Sequence, residues 1–365
     1  MASYQRRGKT WQYTISAKPK PIRKGGFKTK KEAAIAAAEV EANLNKGVRL
    51  QLTPIPFDEY FEKWVALYKK QLKGPTKKHY EDTHKEIQKY FGNSPIQEII
   101  RSDYQAFINK FGSTRAKETV EKLHGHIRSC VQDAIEDGVV HVDFTRKVKL
   151  YWTVQAKKAS EKHLNFKESE LLLKELYKHL SEGLGYYLLL LGLTSGLRFE
   201  ELVGLTRKDF DFVHNKIRVN KTWGYKKQSP LGFGPTKNEQ SNRIIKIDKN
   251  TMAAFKHLFD IMPPNLHGLV FYSPVSKYKV ISNTNANKLL KKVLSELEIQ
   301  PITVHGLRHT YASVLLYKRV SVYSVSERLG HKDVETTNKY YAHVLKELRE
   351  EDDEIAVSAF EEMAV

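Results

Sequence analysis

Between Thr303 and Val344 the chain reads TVHGLRHTYASVLLYKRVSVYSVSERLGHKDVETTNKYYAHV, and this stretch constrains the fold more than any other. Leu307, Tyr311, Val314 and Leu315 fall at i, i+4, i+7 and i+8, one apolar face of a helix for which Thr303 is a natural N-cap. A second helix runs roughly from Val322 to Leu329 and stops at Gly330, because glycine takes the left-handed conformation that closes a helix without steric cost. His331 is left just outside it. A third helix begins near Asp333 or Glu335 and brings Tyr340 and Tyr341 back toward His331. His305 and Arg308, at i and i+3 on the first helix, flank its apolar face and can meet one anion near the helix start. Core packing has no need of so much polar chemistry in so short a segment, and the stretch reads as an active site.

The rest of the composition says what such a site acts on. A net charge of +19 calls for a polyanionic partner, nucleic acid first and an anionic membrane surface second. The membrane reading lacks an anchor, since the most apolar run, Tyr186 to Leu193, is too short to span a bilayer and Met1 to Lys20 shows no hydrophobic signal core. The single Cys130 allows neither an internal disulfide nor a cysteine metal cluster, as expected of a reducing cytoplasm. No Asp, Glu and His cluster at ligand spacing in the C-terminal half, which disfavours a metal-dependent nuclease and leaves the metal set empty.

Residues 1–50 read as a small module. Short alternating runs broken by Lys-Pro and Gly-Gly turns predict a thin sheet, and KKEAAIAAAEVEANLNKG predicts a helix closed by Gly47. Ten Lys or Arg and no acid precede Glu32, so Arg6, Arg7, Lys18, Lys20, Arg23, Lys24 and Lys28 are candidate DNA contacts; the alternative is a solvated basic tail. Residues 54–153 are predicted helical from Phe57 to about Lys149, with Phe57, Tyr60, Phe61, Trp64 and Leu67 packing a core. A helix over Thr114 to Asp137 carries Leu123, Ile127, Cys130, Val131 and Ala134 on one stripe. Lys73, Lys77, Lys78 and Lys85 either track phosphates or form a solvated face. Residues 154–163 are polar and aperiodic, a linker whose Lys157 and Lys158 suit a strand passing near phosphates. Residues 347–365 invert the charge, with eight acids to one basic residue and a short apolar stripe of Ile355, Val357 and Phe360, which reads as a protein contact or a frayed tail.

His305-x-x-Arg308, then Leu329-Gly330-His331, then Tyr341-Ala342-His343-Val344, in that order, resemble the C-terminal signature of the tyrosine recombinases, the phage-integrase-like strand-exchange enzymes. The resemblance implies a mainly α multidomain fold with small β-sheets: an N-terminal module for arm-type DNA sites, a helical core-binding domain, and a mixed α+β catalytic domain over 164–346. It is that of a three-domain integrase of a phage or conjugative transposon from a Gram-positive-like bacterium. Arg198, with Glu201 three residues on, matches the family's first motif; Glu201 either orients Arg198 or forms an ordinary surface ion pair. Lys237, in PTKNEQSNR, sits where the family carries its hairpin lysine, with Lys226, Lys227 and Lys246 as competitors. His309 matches as a supporting residue.

The resemblance implies a site-specific recombinase that integrates or excises a mobile element through a covalent 3′-phosphotyrosine, with neither metal nor other cofactor. Arg198 and Arg308 stabilise the phosphate, His305 and His331 donate hydrogen bonds or handle the nucleophile's proton, and Lys237 protonates the leaving oxygen. Tyr341 is the nucleophile by the motif and Tyr340 the runner-up. Partners are duplex attachment sites of core and arm type, a homotetramer joined through C-terminal contacts, a host DNA-bending protein and an excision factor. A type IB topoisomerase would share the tyrosine and the cations, and an inert DNA-binding protein would share only the fold.

Overall fold

A computed structural model describes residues 2–16, 21–45, 53–72, 74–155, 159–225 and 231–338, and the chain divides into two compact units, Met1–Ala156 and Lys157–Val365. The first unit opens with an antiparallel sheet, β1 (Ala2–Arg7), β2 (Thr10–Ile15) and β3 (Ile22–Phe27), with β2 in the middle. Helix α1 (Lys30–Asn45) covers one face, where Tyr13, Ile15 and Ala37 are buried beside Tyr4, Ile22 and Phe27. Strand side chains alternate between faces. With Ser3 opposite Thr14, Gln5 opposite Gln12 and Thr14 opposite Arg23, the uncovered face is polar and includes Arg7.

Next come α2 (Phe57–Tyr68), α3 (Gly74–Phe91), α4 (Arg101–Gly112) and α5 (Lys117–Glu136). Phe57, Phe61 and Trp64 from α2 pack with Ile87, Tyr104 and Phe107, and the α5 stripe expected from Leu123 to Ala134 is buried throughout. The Trp64 indole donates to Asp133 Oδ2 at 2.6 Å, tying α2 to α5. Two expectations need correcting. Leu67 is 70% exposed, because the apolar arc of α2 turns away from the core after Trp64. Helix also stops well short of Lys149: left-handed Gly138 closes α5, the next two amides bond back to Ala134 O, and residues 139–155 run as turns and extended chain.

The second unit is built around one apolar helix. It begins with α6 (Phe166–Lys178), α7 (Leu184–Ser195) and α8 (Phe199–Gly204), followed by β4 (Phe210–Asp211), β5 (Lys216–Val219), β6 (Thr222–Trp223), β7 (Phe233–Gly234) and β8 (Arg243–Lys246). It continues with α9 (Lys249–Ile261), α10 (Asn283–Glu296), α11 (Val304–Tyr317), α12 (Val322–Leu329) and a helical turn over 334–338. Strands β4, β5 and β8 form one antiparallel sheet in that order, and β6 pairs with β7. Every residue of α7 from Tyr186 to Leu193 is buried, as a helix that is apolar all round must be. Helices α6, α8, α9, α10 and α11 all pack against it. On α11 the buried face is Leu307, Tyr311, Ala312 and Leu316, while Val314 and Leu315 lie at its edge. Among the described residues no helix is long and apolar enough to cross a membrane.

These burial differences set the expected response to truncation. Leu190→Ala, at a fully buried position of α7, should cost about 2–5 kcal/mol through lost transfer energy and the cavity left behind, whereas exposed Leu67→Ala should stay within about 0.5 kcal/mol. Urea unfolding midpoints for the two variants distinguish these outcomes.

Candidate active site

The site forms where two helices end. Helix α7 closes at Gly196 and α12 at Gly330, both left-handed, with φ of 65° and 63°. A helix C-terminus leaves carbonyls without intrahelical partners and carries partial negative charge. Arg308, 3% exposed, reaches both ends from the second turn of α11: its guanidinium donates to Gly196 O at 2.8 Å and to Leu329 O at 2.7 Å. Arg198 donates to Gly330 O at 3.0 Å. The two arginines expected from sequence to share a phosphate are therefore hydrogen-bonded to adjacent carbonyls of one turn.

Glu201 is no surface ion-pair partner. Only 1% exposed, it accepts from Arg198 Nη1 at 2.8 Å and Arg243 Nη2 at 3.0 Å, and its second carboxylate oxygen also accepts from the Arg198 backbone amide. Burial opposes the ionised carboxylate, but the Arg243 and Arg198 guanidiniums outweigh it and hold the pKa below the ordinary range. Among the described residues Glu201 pairs with two guanidiniums while Arg308 is bonded to backbone carbonyls, so this cluster keeps a positive excess. That excess suits a phosphate.

His331 follows Gly330 directly, and its Nδ1 lies 2.7 Å from Oγ1 of the fully buried Thr337. Burial first, then the positive charge of Arg308 and Arg198, lowers its pKa to about 3. His309 is lowered to about 4 by burial, with His305 and Arg308 adding to the effect. The His305 ring keeps an exposed edge and stands T-shaped against His309 at 4.9 Å. Its pKa also falls, mainly from the protein packed around it and then from Arg308, Arg198 and Lys237. In all three the shift favours the neutral imidazole. Lys237, on the loop between β7 and β8, contributes to lowering the His305 pKa; it and Lys246, on β8, are both exposed.

Sequence reasoning missed Arg243, Ser241 and Thr337. Arg243 carries no local signal, because its partners are 42 and 85 residues away in the chain. Of the expected DNA contacts, Arg6, Arg7, Arg23, Lys24, Lys28 and Lys77 are exposed, while Lys78 is engaged by Asp82 at 2.7 Å. Lys18, Lys20, Lys73, Lys157, Lys158, Lys226, Lys227, Tyr340, Tyr341 and the acidic tail lie outside the described residues.

Comparison with known proteins gives three family matches along the chain: the arm DNA-binding domain at residues 2–44, the N-terminal SAM-like domain of phage integrases at 56–112, and the phage integrase family itself at 162–347. The chain is 24% identical over 342 residues to the integrase of Staphylococcus phage L54a, covering 86% of this chain and 96% of that one. The Tn1549 transposon integrase in complex with a circular intermediate DNA has a similar fold, with a TM-score of 0.67 at 19% identity over 82% of this chain and 99% of that one. A lambda integrase tetramer bound to a Holliday junction aligns with a TM-score of 0.57 at 13% identity, over 92% and 96%.

The depressed histidines dictate a pH dependence. Their folded pKa values lie below the ordinary 6.5, so as pH falls the unfolded chain takes up protons first and stability is lost between pH 6.5 and the folded values. The melting temperature should drop from pH 7 to pH 5, and His331→Gln should lose part of that drop. An unchanged slope in the variant would contradict the burial of a neutral His331.

Proposed function

The chain belongs to the phage integrase family, and on that premise we propose that the cations gathered at the ends of α7 and α12 receive the scissile phosphate of a DNA attachment site. The protein is a tyrosine-type recombinase that performs site-specific DNA recombination, and it carries an arm DNA-binding domain. One observation carries the finer reading: Arg198 and Arg308 share the Leu329-Gly330 turn, and His331 is the next residue.

In this reading Tyr341 is the nucleophile. Its phenol oxygen forms a bond to phosphorus as the P–O5′ bond breaks, and the electron pair leaves with O5′, which takes a proton from the Lys237 ammonium. The phenol proton passes to a neutral imidazole, His331 or His305, whose pKa rises once the phosphate's negative charge arrives. Arg198 and Arg308 are permanently charged and already oriented, so they stabilise the charge building on the nonbridging oxygens with little reorganisation. The 3′-phosphotyrosine conserves the phosphodiester's energy for rejoining, and a second strand's 5′ hydroxyl reverses the step.

Family likeness and charge support the wider assembly. The polar, uncovered face of the N-terminal sheet, with Arg7 and Arg23, would read arm-type sites, and α2 to α5 would hold core-type DNA. A tetramer on DNA, like that of lambda integrase on a Holliday junction, would be joined by the acidic 347–365 segment, with a host DNA-bending protein and an excision factor setting direction. The mobile element would be a phage or conjugative transposon, and the enzyme would work at the bacterial nucleoid.

Two experiments test this reading. Tyr341→Phe should abolish the covalent protein–DNA band on denaturing gels while Tyr340→Phe retains it, since Tyr341 is the tyrosine that directly precedes Ala342-His343-Val344 in the family motif; the reverse pattern would move the role to Tyr340. Replacing Arg7 and Arg23 together by Ala should weaken binding to arm-type duplex and lower its salt dependence, with cleavage of an isolated core site unchanged. Unaltered arm binding would reject the open face as the reader.

A further inference from the structure

The loop that carries Lys237 is not free to wander. Asn238 caps the turn over Glu239–Ser241, accepting from the Ser241 amide at 3.0 Å and from the Ser241 hydroxyl. Ser241 Oγ in turn accepts from Arg198 Nη1 at 3.2 Å. Two residues on, Arg243 spans three elements with one guanidinium whose side chain is 7% exposed. Nη2 donates to Glu201 on α8, Nε to Arg328 O at 2.7 Å in the last turn of α12, and Nη1 to Ser241 O at 2.8 Å in its own loop. The contact is also steric. A Cβ added at Gly330 would lie 2.9 Å from Gln240 O and 3.0 Å from Ser241 Cα, so the loop rests directly on the helix stop.

We infer that Arg243, together with Asn238, is a positioning residue for leaving-group protonation: it latches the Lys237 loop to the same helix end that holds Arg198 and Arg308. The inference rests on the reading of Lys237 as the general acid. It adds that the acid and the phosphate-binding cations are set as one unit, through a guanidinium that is itself almost wholly buried. Without the latch the arginines keep their carbonyl partners, but the ammonium loses its fixed distance to O5′. Proton delivery is steeply sensitive to such a displacement. A lysine at position 243 keeps a charge beside Glu201 yet cannot span the three partners, because it lacks the planar fork of donors.

The test compares two leaving groups in single-turnover cleavage of a core-site duplex, one with the natural 5′ bridging oxygen and one with sulfur in its place. A thiolate departs without needing a proton. Lys237→Ala should slow the oxygen substrate by about 100-fold or more and the sulfur substrate little, as expected for loss of a general acid. Arg243→Lys and Asn238→Ala should show the same pattern more weakly, roughly tenfold or more on oxygen and under about threefold on sulfur. Should Lys237→Ala be rescued by sulfur while the other two are slowed equally on both substrates, or on neither, the latch is refuted and the acid stands. If Lys237→Ala is not rescued, the acid assignment fails and the latch with it. Melting curves confirm that each variant is folded, and Asn238→Ala decides the matter if Arg243→Lys does not fold.

Discussion

Everything in the catalytic unit turns on guanidinium groups held by the spent ends of helices. A buried arginine is costly unless its donors are matched, and a carboxylate partner for each would match them at the expense of the positive potential the site needs. Backbone carbonyls at the ends of α7 and α12 solve both problems. They accept hydrogen bonds and carry only partial charge, so Arg198 and Arg308 are anchored while one carboxylate, Glu201, serves two of the three guanidiniums. The two helices must end where they do for this to work. Gly196 and Gly330 fix those ends, and at each a side chain would strike a neighbour: Tyr311 at the first, the Lys237 loop at the second.

That arrangement explains why α7 is apolar all round. It is the post against which α6, α8, α9, α10 and α11 lean, and its last turn supplies one of the carbonyls that hold Arg308. Core packing and site geometry are thus the same problem at this point. The lowered pKa values of His331, His309 and His305 are its electrostatic counterpart, since desolvation and neighbouring guanidiniums both disfavour the charged imidazole.

Local features were legible in the sequence wherever a short-range rule determines them. Thr303 caps α11 through its side chain, α12 runs from Val322 to Leu329 and stops at Gly330, and the alternation in the first residues gives the three strands. The His-x-x-Arg and Leu-Gly-His motifs pointed to residues that the fold does bring around one turn. What could not be read was long-range. Nothing near Arg243 in sequence announces Glu201 or Arg328 as its partners, and Thr337 gives no hint of its place beside His331. Leu67 satisfied the helical period yet faces water, because periodicity names a stripe without saying how far along it the neighbouring helix extends. Lys78 looked available for phosphate, but the period of its helix sets Asp82 one turn away.

The N-terminal sheet has one side closed by α1 and the other clad in Ser3, Gln5, Arg7, Gln12, Thr14 and Arg23. Residues on that outer side contribute little to the small core beneath them, so replacing them should be almost neutral for folding. That outer surface can therefore be rewritten residue by residue while the fold beneath it, and the guanidinium cluster of the other unit, stay as they are.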